Sequence, residues 1–429
     1  MREAFQGLTT RGKCLISIGI AMALLSFLLG EKDLLRVAVL IAVVPLASVA
    51  LLARTRYRIS SVRQVDPIRV EAGHEARVTL QLRNLSKLPT GTLMLEDRLP
   101  YALGNRPRLV LERMHGNGGS SVTYSVKAEH RGRYNIGPLV TRLTDPFGLI
   151  EVTRAYPSTD HLTVTPPIIR LPAIRLPGEY AGSGDNRSRA VAVHGEDDVA
   201  TREYRYGDDL RRVHWRSTAR TGELMVRREE QPWDSRATVL MDVRAAGHRG
   251  DGPASSFEWS VTATASIATH LRLSGYRLRV VTEHTDLEPD AADDGLVMDY
   301  LAGVQPRRRG ELTRLIDQVR RRDHGGLIVA VMGSMSAEEA GRLAGLRTSG
   351  ATCIGLLMDT TTWLNLPDKV RAEADRAYQQ SMAVLLRSGW RVVPIRSGDD
   401  LSHQWRGLTT GSDGFSYRGT MAATGQEGR

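Results

Sequence analysis

The residues with the most chemical potential lie in one run, Thr201–Glu230 (TREYRYGDDLRRVHWRSTARTGELMVRREE). It holds eight Arg against six Asp and Glu, with Tyr204, Tyr206 and Trp215 among them, for a local net charge of +2. Two chemistries use such a mixture. One is a hydrolase or metal-dependent enzyme built on Asp208, Asp209 and, farther on, Asp242. The other is recognition, since Arg, Tyr and Trp are the usual energetic anchors of a protein interface. A polyanion groove would carry a larger cation excess, and aromatic residues stack on bases in the company of one, so nucleic acid is not an expected partner. His194 and His214 lie near acids, and His214 beside Trp215 reads as a packed or capping residue rather than a base. The chain has no G-x-x-x-x-G-K-[ST], H-E-x-x-H or G-x-S-x-G, which removes the phosphate loop, the zinc-protease helix and the nucleophile elbow. No cofactor is expected.

Local signals assign elements to this run. Gly207-Asp208-Asp209 reads as a turn into a helix N-terminus, where a carboxylate meets free backbone N–H groups. Leu210, Val213, His214 and Ser217 recur at helical spacing, Arg216 and Arg220 fall in the last turn, and Gly222 closes it. Leu224 and Val226 then alternate as in a short strand. Two roles stay open for Arg202, Glu203, Tyr204, Asp208, Asp209, Arg211, Trp215, Arg220 and Arg227: an exposed surface for a partner protein, or a clasp locking neighbouring domains through buried Arg–carboxylate pairs.

The 429 residues exceed one small domain, and 58 Lys and Arg against 48 Asp and Glu give a net charge of +10 that is spread rather than clustered. Two cysteines, Cys14 and Cys353, offer neither a disulfide framework nor a thiolate metal cluster. Residues 1–56 hold two apolar runs, Cys14–Gly30 and Val37–Ala53, separated by a short polar turn; they are expected to form a two-span transmembrane hairpin, not a cleaved leader. Arg2, Arg11 and Lys13 precede the first run and Arg54, Arg56, Arg58 and Arg63 follow the second, so positive-inside bias places both flanks, and the soluble domains, in the cytoplasm. Residues 57–171 alternate as strands, for example Ala76–Leu82 and Ser121–Ala128, and imply a β-sandwich of immunoglobulin-like type, with Phe147 of the Asp145-Pro146-Phe147-Gly148 turn as a core plug. Residues 172–200 read as a linker and 201–235 as the charged segment. From 236 to 408 apolar strands alternate with helical runs, the pattern of a doubly wound parallel sheet, and 409–429 reads as a flexible tail.

The pattern R-E-Y-x-x-G-D-D-x-R-x-x-x-W-x-x-x-A-R-T-G-x-L-x-V-R, running from Arg202 to Arg227, resembles the signature of the bacterial family "domain of unknown function 58". A second family-like phrase, RGRYNIGPLVTRLTDPFGL, spans Arg131–Leu149. The resemblance implies that the α/β half is von Willebrand A-like, a fold that often binds a divalent cation at the C-terminal edge of its sheet through an Asp-x-Ser-x-Ser loop, a loop Thr and a further Asp. Here that loop reads Asp242-Val243-Arg244-Ala245-Ala246, without either serine and with a positive charge where a cation would sit. Asp242, Ser334 and Asp359 are the weak metal-ligand candidates; pairing of Asp242 with Arg244, or capping of a following helix, is the expectation. The resemblance also implies a MoxR-type AAA+ ATPase as partner, and thus a membrane-anchored, non-enzymatic scaffold or adaptor.

Overall fold

The computed structural model describes residues 8–54, 59–87, 89–90, 92–112, 114–144, 147–173, 201–204, 213, 215–227, 236–289, 295–322, 326–347 and 351–410. The interdomain stretch from 174 to 200 and the tail from 411 lie outside them, as do Asp208, Asp209 and Arg211. The chain divides into two compact units, one of Met1–Pro167 with Met298–Val304, the other of Ile168–Val297 with Gln305–Arg429. The first is β-rich behind an N-terminal helix pair, and the second is α/β.

Both apolar runs are helical, α1 over Thr10–Leu29 and α2 over Lys32–Arg54. Thr9 caps α1 by accepting from the Gly12 amide, and Gly30 ends it at φ +71°, a left-handed conformation that glycine enters without steric cost. Gly12, Gly19 and Ser26 are the buried residues of α1, spaced seven apart on one side. A Cβ on Gly19 would lie 3.3 Å from the Ala38 carbonyl and from the Ala42 methyl, so small residues let the two backbones approach closely. Large apolar side chains such as Leu24, Phe27, Leu28 and Leu40 face outward. Among the described helices α1 has the length and mean hydropathy, 2.1, of a membrane span.

The ten strands described in the β-rich unit are β1 Ile59–Asp66, β2 Arg69–Glu71, β3 Glu75–Asn84, β4 Leu93–Asp97, β5 Arg108–Leu111, β6 Gly119–Lys127, β7 Gly132–Ile136, β8 Leu139–Thr144, β9 Glu151–Tyr156 and β10 Asp160–Thr165. They form sheets ordered β1-β3-β6, β2-β10-β7 and β5-β4-β8-β9. Strict alternation in β3 sends Ala76, Val78, Leu80 and Leu82 inward. The first two join Ile136, Leu162 and Val164, and the last two join Leu93, Leu95 and Leu139. One charged group shares this interior. The Arg63 side chain, 1% exposed, is bidentate to Asp97 (Nη2–Oδ1 2.7 Å, Nε–Oδ2 3.0 Å), and Tyr124 donates to the same carboxylate at 2.6 Å. Gly137, at φ +110°, faces this group; a Cβ there would lie 2.7 Å from the Ser158 carbonyl and 2.9 Å from Arg63 Nη2.

Phe147 is not a core plug. It is 67% exposed, while Leu149 and Ile150 turn inward against Leu8 and Val49. The positive φ of Gly148 (+67°) redirects the chain between them, and two aliphatic residues occupy the place assigned to one aromatic.

The α/β unit adds a two-stranded pair, β11 Thr201–Glu203 and β12 Met225–Arg227, with helix α3 Trp215–Thr221 between them in sequence. Its sheet holds β13 Arg236–Met241, β14 Arg277–Val281, β15 Asp286–Leu287, β16 Leu327–Met332, β17 Thr352–Met358 and β18 Arg391–Ile395. Helices α4 Ser256–Leu273, α6 Leu312–Arg320, α7 Ala337–Ala344, α8 Asp368–Arg387 and α9 Leu401–Thr410 accompany it, while α5 Leu296–Gly303 belongs from Met298 onward to the β-rich unit. The strand order is β15-β14-β13-β16-β17-β18, parallel throughout except for β15. Every residue of β16 is buried, as expected of a central parallel strand covered on both faces. Numbered along the unit this is 3-2-1-4-5-6, so the order reverses between β13 and β16, where open α/β sheets offer a crevice at their C-terminal edge. In α9 Leu401, Trp405 and Leu408 recur at helical spacing and are buried.

Candidate functional site

The reversal point sets Asp242, one residue past β13, opposite the loop that follows β16. Asp242 is 1% exposed and does not face an open crevice. Arg244 returns onto it with Nε 3.0 Å from Oδ1 and Nη2 2.9 Å from Oδ2, and the Arg244 amide donates to Oδ1 at 2.9 Å. The same guanidinium reaches Glu339 Oε1 at 2.6 Å through Nη1 and the Ser334 carbonyl at 3.2 Å through Nη2. Burial alone would lower the Arg244 pKa; the hydrogen bonds and charge of Asp242, with Glu339, carry it above its ordinary value. A guanidinium thus supplies the positive charge on this carboxylate, with five donors fixed in a plane.

Backbone closes the rest of the crevice. The Ser334 amide donates to the Gly247 carbonyl at 2.8 Å, and a Cβ on Gly333 would collide with that carbonyl. A Cβ on Gly247 would lie 2.6 Å from Asp242 Oδ2. Behind this contact His248 places Nε2 2.9 Å from the Asp242 carbonyl and Nδ1 3.3 Å from Ser256 Oγ, and burial lowers its pKa.

Of the three metal-ligand candidates the structure brings two together and leaves one apart. Asp242 and Ser334 are joined through Arg244, but Ser334 contributes its carbonyl to a guanidinium. Asp359 follows β17, two strand spacings or about 10 Å across the sheet. There its Oδ1 accepts from Thr361 at 2.6 Å. Among the described residues no three His, Cys, Asp or Glu side chains converge as metal ligands. Two acids near Arg244 were not singled out from sequence. Glu339 is the N3 residue of a capping box with Ser336, a pattern the sequence does display. Glu283, whose side chain is 2% exposed, has no hydrogen-bond partner for its carboxylate among the described residues, and no local signal marks it.

The charged segment is a small hairpin with a helix in its connection. Arg202 pairs with Val226 and Glu203 with Met225 across β11 and β12, and the Tyr204 amide donates to the Leu224 carbonyl at 2.8 Å. The helix begins at Trp215, later than the spacing predicts, because Val213 forms a β-bridge to Val226 instead. A β-branched residue gives up little by being extended, and both valines are buried there. Thr218 Oγ1 accepts from the Met225 amide at 3.0 Å, and Gly222 at φ +80° turns the chain back. None of the α3 residues is buried. Trp215 is 70% exposed, Leu224 is 40% exposed, and Glu203 and Arg220 lie at the surface beside them.

Residues 200–374 match the family model for protein of unknown function DUF58. The matched segment contains both the hairpin and the Asp242–Arg244 pair. A curated relative, the uncharacterized protein YeaD of Bacillus subtilis, is 26% identical over 211 residues, covering 48% of this chain. The chain spans about half (51%) of that relative's length. Among solved structures, the CARDB domain of the PF1109 protein from Pyrococcus furiosus is 10% identical with a TM-score of 0.19, over 26% of this chain and 89% of that one. The sporulation control protein Spo0M of Bacillus subtilis is 13% identical with a TM-score of 0.16, over 25% of this chain and 49% of that one.

Proposed function

We propose that this protein is a membrane-anchored adaptor whose DUF58 hairpin receives a partner protein, and that the partner is a MoxR-type AAA+ ATPase. One observation carries the reading: Trp215 stands 70% exposed on a helix none of whose residues is buried. Trp with Arg is the pairing that dominates interface energetics. A buried clasp would instead require Trp215 and Arg220 to be covered. The Asp242–Arg244 pair favours a binding module over metal chemistry, because the carboxylate at the reversal point already has its cation. The strand order, with its antiparallel third strand, supports a von Willebrand A-like fold for the α/β unit, and the layered β-rich unit supports an immunoglobulin-like sandwich.

In this reading α1 and α2 are a two-span anchor with both ends in the cytoplasm, following the Arg-rich flanks. The test is capture of the ATPase from native membranes by the full chain carrying Trp215→Ala or Arg220→Ala. As an interface anchor worth about 2 kcal/mol or more, Trp215 should weaken capture roughly thirtyfold on truncation while the melting temperature is unchanged. Undiminished capture by both variants would overturn the reading.

A further inference from the structure

The exposed Phe147 lies in a loop that is fastened to the start of α1. Leu8 forms an antiparallel bridge with Ile150, the Thr9 amide donates to the Leu149 carbonyl at 2.9 Å, and Thr9 Oγ1 reaches the Gly148 carbonyl at 2.8 Å. A Cβ on Gly12 would lie 2.5 Å from the Leu149 carbonyl, so the loop packs directly on the first turn of the helix. Leu149 and Ile150 share a cluster with Leu8 and with Val49 near the end of α2. Phe147 is thus held level with one end of the helix pair.

That level has a physical meaning. The 20 residues of α1 rise about 30 Å, the thickness of a bilayer's hydrocarbon core. If they cross it, the first turn, with exposed Arg11 and Lys13, lies at the headgroup boundary. Phe147 lies there too, in a loop close to Arg11, whose Nη1 is 3.9 Å from where a Gly148 Cβ would be. Aromatic side chains favour that boundary, and cations beside them favour anionic headgroups.

We infer that Phe147 is a membrane contact of the β-rich unit, inserting into the headgroup–acyl boundary of the bilayer that α1 spans, with Arg11 and Lys13 facing anionic headgroups. It continues the lipid-facing apolar surface of α1 from helix onto a loop of the soluble unit. The inference rests on the proposed membrane anchor, and the experiment separates the two. The full chain, with Cys14→Ser and Cys353→Ala removing the native thiols, is reconstituted in phosphatidylcholine–phosphatidylglycerol vesicles. Single nitroxide labels are placed at Phe147→Cys, at Ile20→Cys in mid-helix and at Arg308→Cys in the α/β unit. Collision rates with oxygen and with a water-soluble nickel chelate give the depth of each label. The label at 147 should read intermediate between hydrocarbon at 20 and water at 308. An aqueous reading at 147 with a hydrocarbon reading at 20 overturns the inference alone, whereas an aqueous reading at 20 overturns the anchor and the inference with it. In the unlabelled wild-type chain, a photoactivatable phospholipid should tag the tryptic peptide 143–154; tagging of α1 without that peptide counts against Phe147.

Discussion

Replacing Arg244 with alanine removes every side-chain donor from Asp242 and leaves that carboxylate, 1% exposed, with the backbone amide of residue 244. A buried charge that loses its counter-charge costs about 3–5 kcal/mol. A domain has about 5–15 kcal/mol in total, so roughly a fifth or more of the α/β unit's stability is at stake. At about 2–4 °C per kcal/mol for a unit of this size, the midpoint should fall by roughly 6–20 °C. The assay is clean, because all six tryptophans lie in the α/β unit and their fluorescence follows its unfolding in the intact chain. Asp242→Ala should cost less, since Arg244 keeps Glu339 at 2.6 Å and the Ser334 carbonyl. Arg308→Ala, an exposed change two residues before Gly310, should stay within about 0.5 kcal/mol of wild type. The reasoning is refuted if Arg244→Ala melts with Arg308→Ala, or if Asp242→Ala proves the more damaging of the two.

Three further outcomes follow from the same geometry. Millimolar Mg²⁺ or Mn²⁺ should leave the tryptophan-monitored midpoint of wild type unmoved, because both Asp242 oxygens already accept from Arg244; a concentration-dependent rise would show a native-state site. In the β-rich unit Asp97→Ala leaves the Arg63 guanidinium, among the described residues, with Asp160 and the Ser158 carbonyl, so its calorimetric transition should lose about 3–5 kcal/mol, while Tyr124→Phe, which gives up one hydrogen bond, should lose about 1–3 kcal/mol. His248 and His270 both have pKa values lowered by burial, so the unfolded chain binds protons that the folded chain refuses. Their contribution is complete above the unfolded value near 6.5 and is lost as pH falls below it, at up to about 1.4 kcal/mol per pH unit for each group. Thermal scans from pH 7.5 to 5.5 should show this decline, and His248→Gln should flatten it.

What could be read from sequence followed the range of the interaction concerned. Strands β16 and β17 announce themselves as uninterrupted apolar runs, and the Asp242–Arg244 pair joins residues only two apart. Glu339 completes that group from 95 positions away, and only the reversal of strand order brings α7 to the end of β13. Arg63 did leave a trace. It falls at an inward position of β1, in alternation with Val65, where a charge is admissible only with a partner, yet nothing local points to Asp97. The late start of α3 is a competition that periodicity cannot judge, because Val213 suits the helical stripe and the extended bridge alike, and Val226 decides it from across the hairpin.

The two family-like phrases differ in where their apolar residues go. Arg131–Leu149 turns inward for most of its length: Ile136, Leu139 and Val140 are core, Gly137 admits the Arg63 guanidinium, and Leu149 seats the base of α1. Among its described apolar residues Phe147 breaks outward, in the loop that packs on α1, which has the length and hydropathy of a span. Within Arg202–Arg227 the described apolar side chains divide the other way, with Val213 and Val226 inside and Trp215 and Leu224 outside. Exposed aromatic area is unfavourable in water. For Phe147 the adjoining element is the first turn of α1, with Arg11 near the loop, which suits the headgroup boundary inferred above. For Trp215 it is a short helix whose surface also carries Arg220, Trp and Arg being the residue types that anchor protein interfaces.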